Sequence, residues 1–350
     1  MMMRRLLTTV VLGAFVAPAV PAAAQVYPER IRSVTRRVEA VTGVERYQGN
    51  AQRETQTERI TKTAQLGASG ELVLSNISGD IVITRGGGND VTIDAVKTGR
   101  GRTADEAKQA LQMSEVEIVE RGGRLEVRAR YPRQDSTRRN WRGFSGSVDF
   151  TIAAPEKARI SANSISGDIS VSDIRGELSL ETVSGDVRIA NAGRVAQAKT
   201  ASGDVEITDT TIETTLDAAT ISGDMILRNV KAQRLDVGSV SGDVILENVQ
   251  SARIDAQSLS GDIRLSGPLV RGGRYDLGSH SGEIHVQVGG DVGFELDASS
   301  FSGNIRSDIE LKAGAEPASR GRRRSLHGTY GDGSAFLDIT TFSGRIVISR

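Results

Sequence analysis

The chain has 350 residues, with 44 basic and 44 acidic side chains, 39 glycines, no cysteine and only 4% aromatics. Balanced charge excludes a global pull towards nucleic acid, and the lack of cysteine removes any need for an oxidising compartment. Few aromatics beside many small and β-branched residues suit a thin core better than a thick globular one.

Residues 1–24 carry the layout of a secretory signal peptide. Arg4 and Arg5 open it, Leu6 to Val16 form an apolar run, Pro18 and Pro21 break the run, and Ala22-Ala23-Ala24 offers a cleavage site before Gln25. The rival reading, a membrane anchor, meets an apolar run too short to span a bilayer comfortably. With cleavage, no transmembrane span remains, and the product is expected in the periplasm or at the cell surface. Residues 25–68 read as an N-terminal helix and a polar linker. Ile31, Val34, Val38 and Val41 have amphipathic helical spacing, and Gln48 to Gln65 are polar without a period.

From Glu71 strands begin, at Leu72-Val73-Leu74, Ile81-Val82-Ile83 and Val91 to Val96. Residues 84–158 are irregular. Thr103 with Glu106 forms a capping-box signature for a helix over Ala104 to Met113. Val116 to Val119 and Leu125 to Arg128 flank Arg121-Gly122-Gly123-Arg124, a hairpin signal.

The stretch 159–306 is a repeat. Ser-Gly-Asp returns with glycines at Gly167, Gly185, Gly203, Gly223, Gly242 and Gly261, and Ser-Gly variants follow at Gly282 and Gly303. Earlier and later copies stand at Gly79 and Gly344, and successive glycines in the regular stretch lie 18 to 21 residues apart. Such a short fixed period marks a repeat architecture. Aligned on glycine, apolar residues fall two and four positions after it (Ile169 and Val171, Val187 and Ile189). Others fall seven and five before it (Leu178 and Leu180, Leu235 and Val237), and a further inward site follows seven after it, at Ile174, Val230 and Val249. Another apolar residue recurs two before glycine (Ile165, Val183, Ile221, Val240, Leu259, Phe301), and this break in alternation implies a bend. Glycine suits the corner because it tolerates positive φ. Asp173, Asn229 and Asn248 are the turn formers of a second corner. The expected fold is all-β, a single-stranded β-solenoid with coils of 18–21 residues, a short N-terminal helix and a small helix/hairpin insertion. Residues 307–333 read as a loop insertion and 334–350 as a final coil, so the solenoid occupies 69–350.

Repeated Ser-Gly-Asp-Ile/Val-x-Ile/Val units behind a signal peptide resemble the DUF4097 family of β-strand-repeat proteins, often labelled adhesins from architecture. The resemblance covers Glu71 to Ser349. It implies a β-solenoid in a bacterial envelope or surface protein, with no agreed enzymatic activity and no catalytic residues to carry over. Some members are associated with envelope-stress responses.

Candidate chemistry is sparse. The Asp column (Asp168, Asp186, Asp204, Asp224, Asp243, Asp262) reads either as a calcium ladder or as solvated corner residues that bond backbone amides. The second is simpler, because each Ca²⁺ takes about 6–8 oxygens and each coil supplies one Asp. His280 takes the usually apolar site two before glycine, His285 faces out and His327 lies far along the chain, so no metal site and no cofactor are expected. Two basic loops are candidates for anion binding: Arg138, Arg139 and Arg142 around Trp141, and Arg322, Arg323 and Arg324. The bland alternative is a solvated loop.

The expected function is a secreted, non-enzymatic, adhesin-like structural or interaction module. Its partner would be an unidentified envelope component (a protein, an anionic lipid or a glycan). Alternatives are an envelope-stress accessory binding anions through the Arg loops and a polysaccharide-acting β-helix enzyme.

Overall fold

The structure is a computed structural model and describes residues 53–131, 145–313 and 324–350. The signal-peptide layout in 1–24 and the helix expected over 29–42 lie outside the described residues.

Alternation of β-branched and polar residues on either side of a glycine corner makes each coil from two short strands. In the Gly167 coil these are Arg159–Ser166 and Ile169–Ser172; in the next they are Glu177–Ser184 and Val187–Ala190. Each strand pairs in parallel with its counterpart one coil on, as Leu178 with Ile160 and Val187 with Ile169. Among the described residues, the strands before the glycines belong to a leading sheet of 14 strands and those after them to a trailing sheet of 13. The core is the layer between them. Ile169, Val171, Leu178, Leu180, Val187, Ile189, Leu235, Ile174, Val230 and Val249 are all buried there, as the repeat alignment requires.

The stacking order departs from the chain order at one end. The coil expected to be last, Ala335–Ser343 with Ile346–Ser349, lies between the Gly282 and Gly303 coils: Leu337 pairs with both Tyr275 and Leu296. The regular coils 159–306 are therefore not one continuous stack. At the other end, the Gly79 coil lies directly on the Gly167 coil, Leu72 beside Ile160 and Ile81 beside Ile169. The described part of the irregular residues 84–158 is an excursion beyond that coil. It includes the helix Ala104–Met113, whose N-cap Thr103 accepts from the Glu106 amide, and the hairpin Glu115–Arg121 with Arg124–Arg130.

Two segments expected to be unpaired are strands. Glu54–Gln65, read as linker, pairs antiparallel with Asp90–Gly101 along its whole length. Its inward row holds Glu58 and Lys62 beside Ile60 and Ala64, so an apolar period is nearly absent. Charged side chains of this kind protect a sheet edge. Within 307–333, read as a loop, Arg324–Tyr330 pairs antiparallel with Phe294–Ser300 and with Lys312–Ala313.

A further correction concerns the residue two before glycine. Ile165, Leu259 and Phe342 are 52%, 54% and 48% exposed. The inward position is the one three before glycine, and it is polar: Ser164, Thr182, Thr200, Thr220, Ser239 and Ser258 are buried. Alternation thus continues to the corner, and the apolar residue there points out. The buried hydroxyls are held because each from Thr182 onward donates to a glycine carbonyl one coil back, as Thr200 to Gly185 at 2.9 Å and Thr220 to Gly203 at 3.0 Å.

Candidate functional site

Three ladders fix the corner. The first is the backbone of glycine itself. Gly203 has φ +147°, and a Cβ there would stand 2.2 Å from the Gly185 carbonyl oxygen, so only glycine fits. The second is the hydroxyl ladder beneath it. The third is the Asp column. Each carboxylate accepts the amide of the next coil's residue: Asp186 N to Asp168 Oδ1 at 2.9 Å, Asp224 N to Asp204 Oδ1 at 2.8 Å, and Glu283 N to Asp262 Oδ1 at 2.8 Å. Arg188 bridges Asp168 and Asp186, and Arg264 bridges Asp243 and Asp262. Desolvation pushes the Asp168 carboxyl up, but the Asp186 amide and the Arg188 guanidinium outweigh it and leave the group below its usual range. This column is structural capping, with one oxygen of each carboxylate committed to backbone.

The second corner carries its own ladder. Asp173, Asn191, Asp209, Asn229 and Asn248 have φ between +50° and +60°, a conformation these side chains tolerate. Asn191 Nδ2 donates to Asp173 Oδ1 at 2.6 Å, and Asn248 Nδ2 to Asn229 Oδ1 at 2.8 Å.

The histidines do not converge. The exposed His280 ring stacks on Phe342 with centroids 4.8 Å apart, His285 faces out, and His327 Nδ1 lies 3.0 Å from Asp297. Among the described residues no group of three His, Cys, Asp or Glu side chains is placed to hold a metal ion. Of the proposed anion sites, Arg138, Arg139, Trp141, Arg142, Arg322 and Arg323 lie outside the described residues. Arg324 is described, and its Nη1 donates to the Gly303 carbonyl at 2.8 Å. All ten corner glycines lie among the described residues.

The outward residues before each corner form the feature that the sequence reading inverted. Parallel register lines up Ile165, Val183, Ile221, Leu259, Phe342 and Phe301 along one border of the leading sheet, with Ala201, Val240 and His280 between them. Phe342 sits between its neighbours, stacking on His280 and on Phe301 at 4.9 Å. Four residues earlier on each strand a second row appears: Asp217, Asp236, Asp255, Asp276, Asp338 and Asp297 pair in that order across six adjacent strands. Aligning the coils six positions before glycine would have shown it.

Parallel coils, a Ser-Gly-Asp corner and self-capping ladders define the class: a β-solenoid repeat protein. The family profile described as Toastrack DUF4097 matches residues 70–349, and the chain belongs to that family. No curated protein matches it. Among solved structures, a provisionally assigned lipid-binding protein from Parabacteroides distasonis aligns at 13% identity and TM-score 0.47, covering 83% of this chain and 97% of that one. A provisionally assigned adhesin from the same species aligns at 10% identity and TM-score 0.45, covering 83% and 96%. Another from Bacteroides fragilis gives 16% identity and TM-score 0.39, with the same coverage. Among the described residues no helix is long and apolar enough to cross a membrane.

Proposed function

We propose that the chain is an exported, non-enzymatic interaction module of the bacterial envelope, adhesin-like in that it presents a long sheet face to another envelope component. The observation that carries this reading is the outward apolar row, continuous over the stacked coils and ending in the His280–Phe342–Phe301 stack. Large exposed apolar rows on a folded protein mark interaction surfaces. Support for export is the layout of residues 1–24.

The test is expression of the affinity-tagged chain with its own leader, followed by fractionation and capture of envelope components at low and moderate salt. An exported product beginning at Gln25 that captures one defined component, and loses it in a Phe301→Ser/Phe342→Ser variant, is the expected result. A product retained in the cytoplasm with its leader intact would remove the export half of the proposal. Product release from an acidic glycan would overturn the non-enzymatic half.

A further inference from the structure

Six strands of the leading sheet, from Thr211–Ser222 to Phe294–Ser300, present a face with three parallel rows. One border is the apolar row from Ile221 to Phe301; the other is the row of six aspartates. Between them runs a row of mostly small side chains: Ala219, Gly238, Gly278, Thr340 and Ser299, with Gln257 the larger exception. Four residues of strand separate the two borders, which is about 13 Å at 3.3 Å per residue. An α-helix with its side chains is about 10–12 Å across and climbs about 5.4 Å per turn, close to the roughly 4.8 Å step from strand to strand. A helix laid along the solenoid fits between the borders and meets one coil per turn. Six strands span about 24 Å, the length of about 16 helical residues.

The charges select the kind of helix. Four aspartates already have partners: Asp217 has Lys199, Asp236 has Arg234, Asp255 has the Gln257 amide, and Asp297 has His327. Asp276 and Asp338, side by side at the centre of the aromatic end, have no ion pair among the described residues. Arg274 lies over the Phe336 ring at 5.0 Å, and it, Arg253 beside Asp276 and the Thr340 hydroxyl at Asp338 offset the repulsion only in part. The two carboxyls are half-buried, and burial together with neighbouring aspartates pushes both up from the ordinary range. A cation from outside would relieve that repulsion.

We propose that this face docks an amphipathic polypeptide helix of basic character, its apolar side on the Ile221–Phe301 row and its Lys or Arg side chains on Asp276 and Asp338. The inference rests on the interaction-module reading and names the partner's chemistry. An anionic membrane surface is disfavoured by the carboxylate row, and a second copy would bring another such row to the same face.

The probe is a synthetic helix of about 18 residues, with Leu on one side and Lys on its flank, titrated against the full exported chain by fluorescence anisotropy. Two controls accompany it: the same peptide with Glu for Lys, and the same with Ser for Leu. The Leu/Lys peptide is expected to bind at least about tenfold more tightly than either control. Asp276→Asn/Asp338→Asn and Phe301→Ser/Phe342→Ser are each expected to cost about tenfold, the first loss shrinking with added salt. Both pairs are surface changes, and unchanged circular dichroism shows that the fold is kept. Equal binding of the Leu/Glu peptide, or no loss in either variant, overturns the proposal. So does capture of anionic phosphatidylglycerol vesicles through the same aromatics, or a dimer that Phe301→Ser/Phe342→Ser dissociates. If envelope capture succeeds while the peptide fails, the module reading stands and this inference falls.

Discussion

The interior coils and the two ends of this molecule solve the same problem in opposite ways. Between the Gly167 and Gly261 corners every coil is parallel to the next, and the corner hydroxyls from Thr182 onward and the Asp column find their partners one coil away. A solenoid built so has no internal reason to stop. At each end one sheet finishes in antiparallel pairing: Glu54–Gln65 on Asp90–Gly101 at one, Arg324–Tyr330 on Phe294–Ser300 at the other. Termination needs strands that accept the last coil's hydrogen bonds while offering a charged or irregular edge to solvent. Interior stability is thus repetitive and shared, whereas end stability rests on single, non-repeated contacts.

The sharpest break of that contrast is a side chain at an interior corner. Gly203→Ala puts a Cβ 2.2 Å from the Gly185 carbonyl oxygen and 2.6 Å from its carbon at φ +147°, against backbone that cannot swing aside. A loss of about 3–5 kcal/mol, or failure to fold, is expected by denaturant unfolding. Gly87→Ala, where nothing lies within 4 Å, is the matched control in the irregular section and is expected to change stability by less than about 0.5 kcal/mol. Equal effects would mean that the corner is not the fixed point of the coil.

At the N-terminal end the telling change is Glu58→Ala. Lys97 is buried to 7% exposure, and its ammonium lies 2.7 Å from Glu58. Removing the carboxylate strands that charge under the edge strand, at a cost of about 2 kcal/mol. Faster hydrogen exchange confined to 54–65 and 90–101, with interior coils unaffected, would confirm that the end opens alone. Exchange rising throughout would show one cooperative unit instead.

Within an interior corner, Thr220→Val keeps shape and deletes the bond to the Gly203 carbonyl. About 1–2 kcal/mol is expected, with Thr220→Ser close to wild type because Ser fills this position in other coils. No difference between Val and Ser would demote the hydroxyl ladder to a packing feature.

The interior was readable because its pattern recurs: Ile169 and Val171 are echoed in every coil, and repetition fixes both the period and the inward positions. The outward apolar row was misread for a definite reason. Ile165 is four residues from Ile169, the same parity, so an unbroken strand would put both inside. The corner at Gly167 reverses that parity, and the polar Ser164 takes the inward place. Nor did the pattern reveal that Ala335–Ser343 slips between two earlier coils, since every coil offers the same register to every other. The strand Glu54–Gln65 was missed because Ile60 and Ala64 are the only apolar residues on its inward row. The aspartate row needed no structure to find, only alignment of the polar positions as well as the apolar ones.

The smallest effect belongs to that row. In the folded chain burial raises both carboxyls first, then Asp255 and Asp338 raise Asp276 and Asp297 raises Asp338, with Arg274 opposing in both, Arg253 at Asp276 and the Thr340 hydroxyl at Asp338. The unfolded value is about 3.9. A carboxyl raised on folding makes the folded state bind more protons, so the penalty is present in full above the folded pKa and is relieved as pH falls through it. Asp168, held low, has the opposite sign: its contribution is present above the unfolded value and lost as pH falls through the folded one. Asp276→Asn/Asp338→Asn is therefore expected to stabilise the chain at neutral pH by about 0.5 kcal/mol, the size of a like-charge cross-strand pair. The gain should shrink as pH falls through the raised folded pKa values and the wild-type carboxyls take up protons. Thermal midpoints of the two proteins measured across that pH range decide it. A stabilisation that persists at low pH would assign the effect to packing, and destabilisation at neutral pH would mean that the pair is already compensated in the free chain.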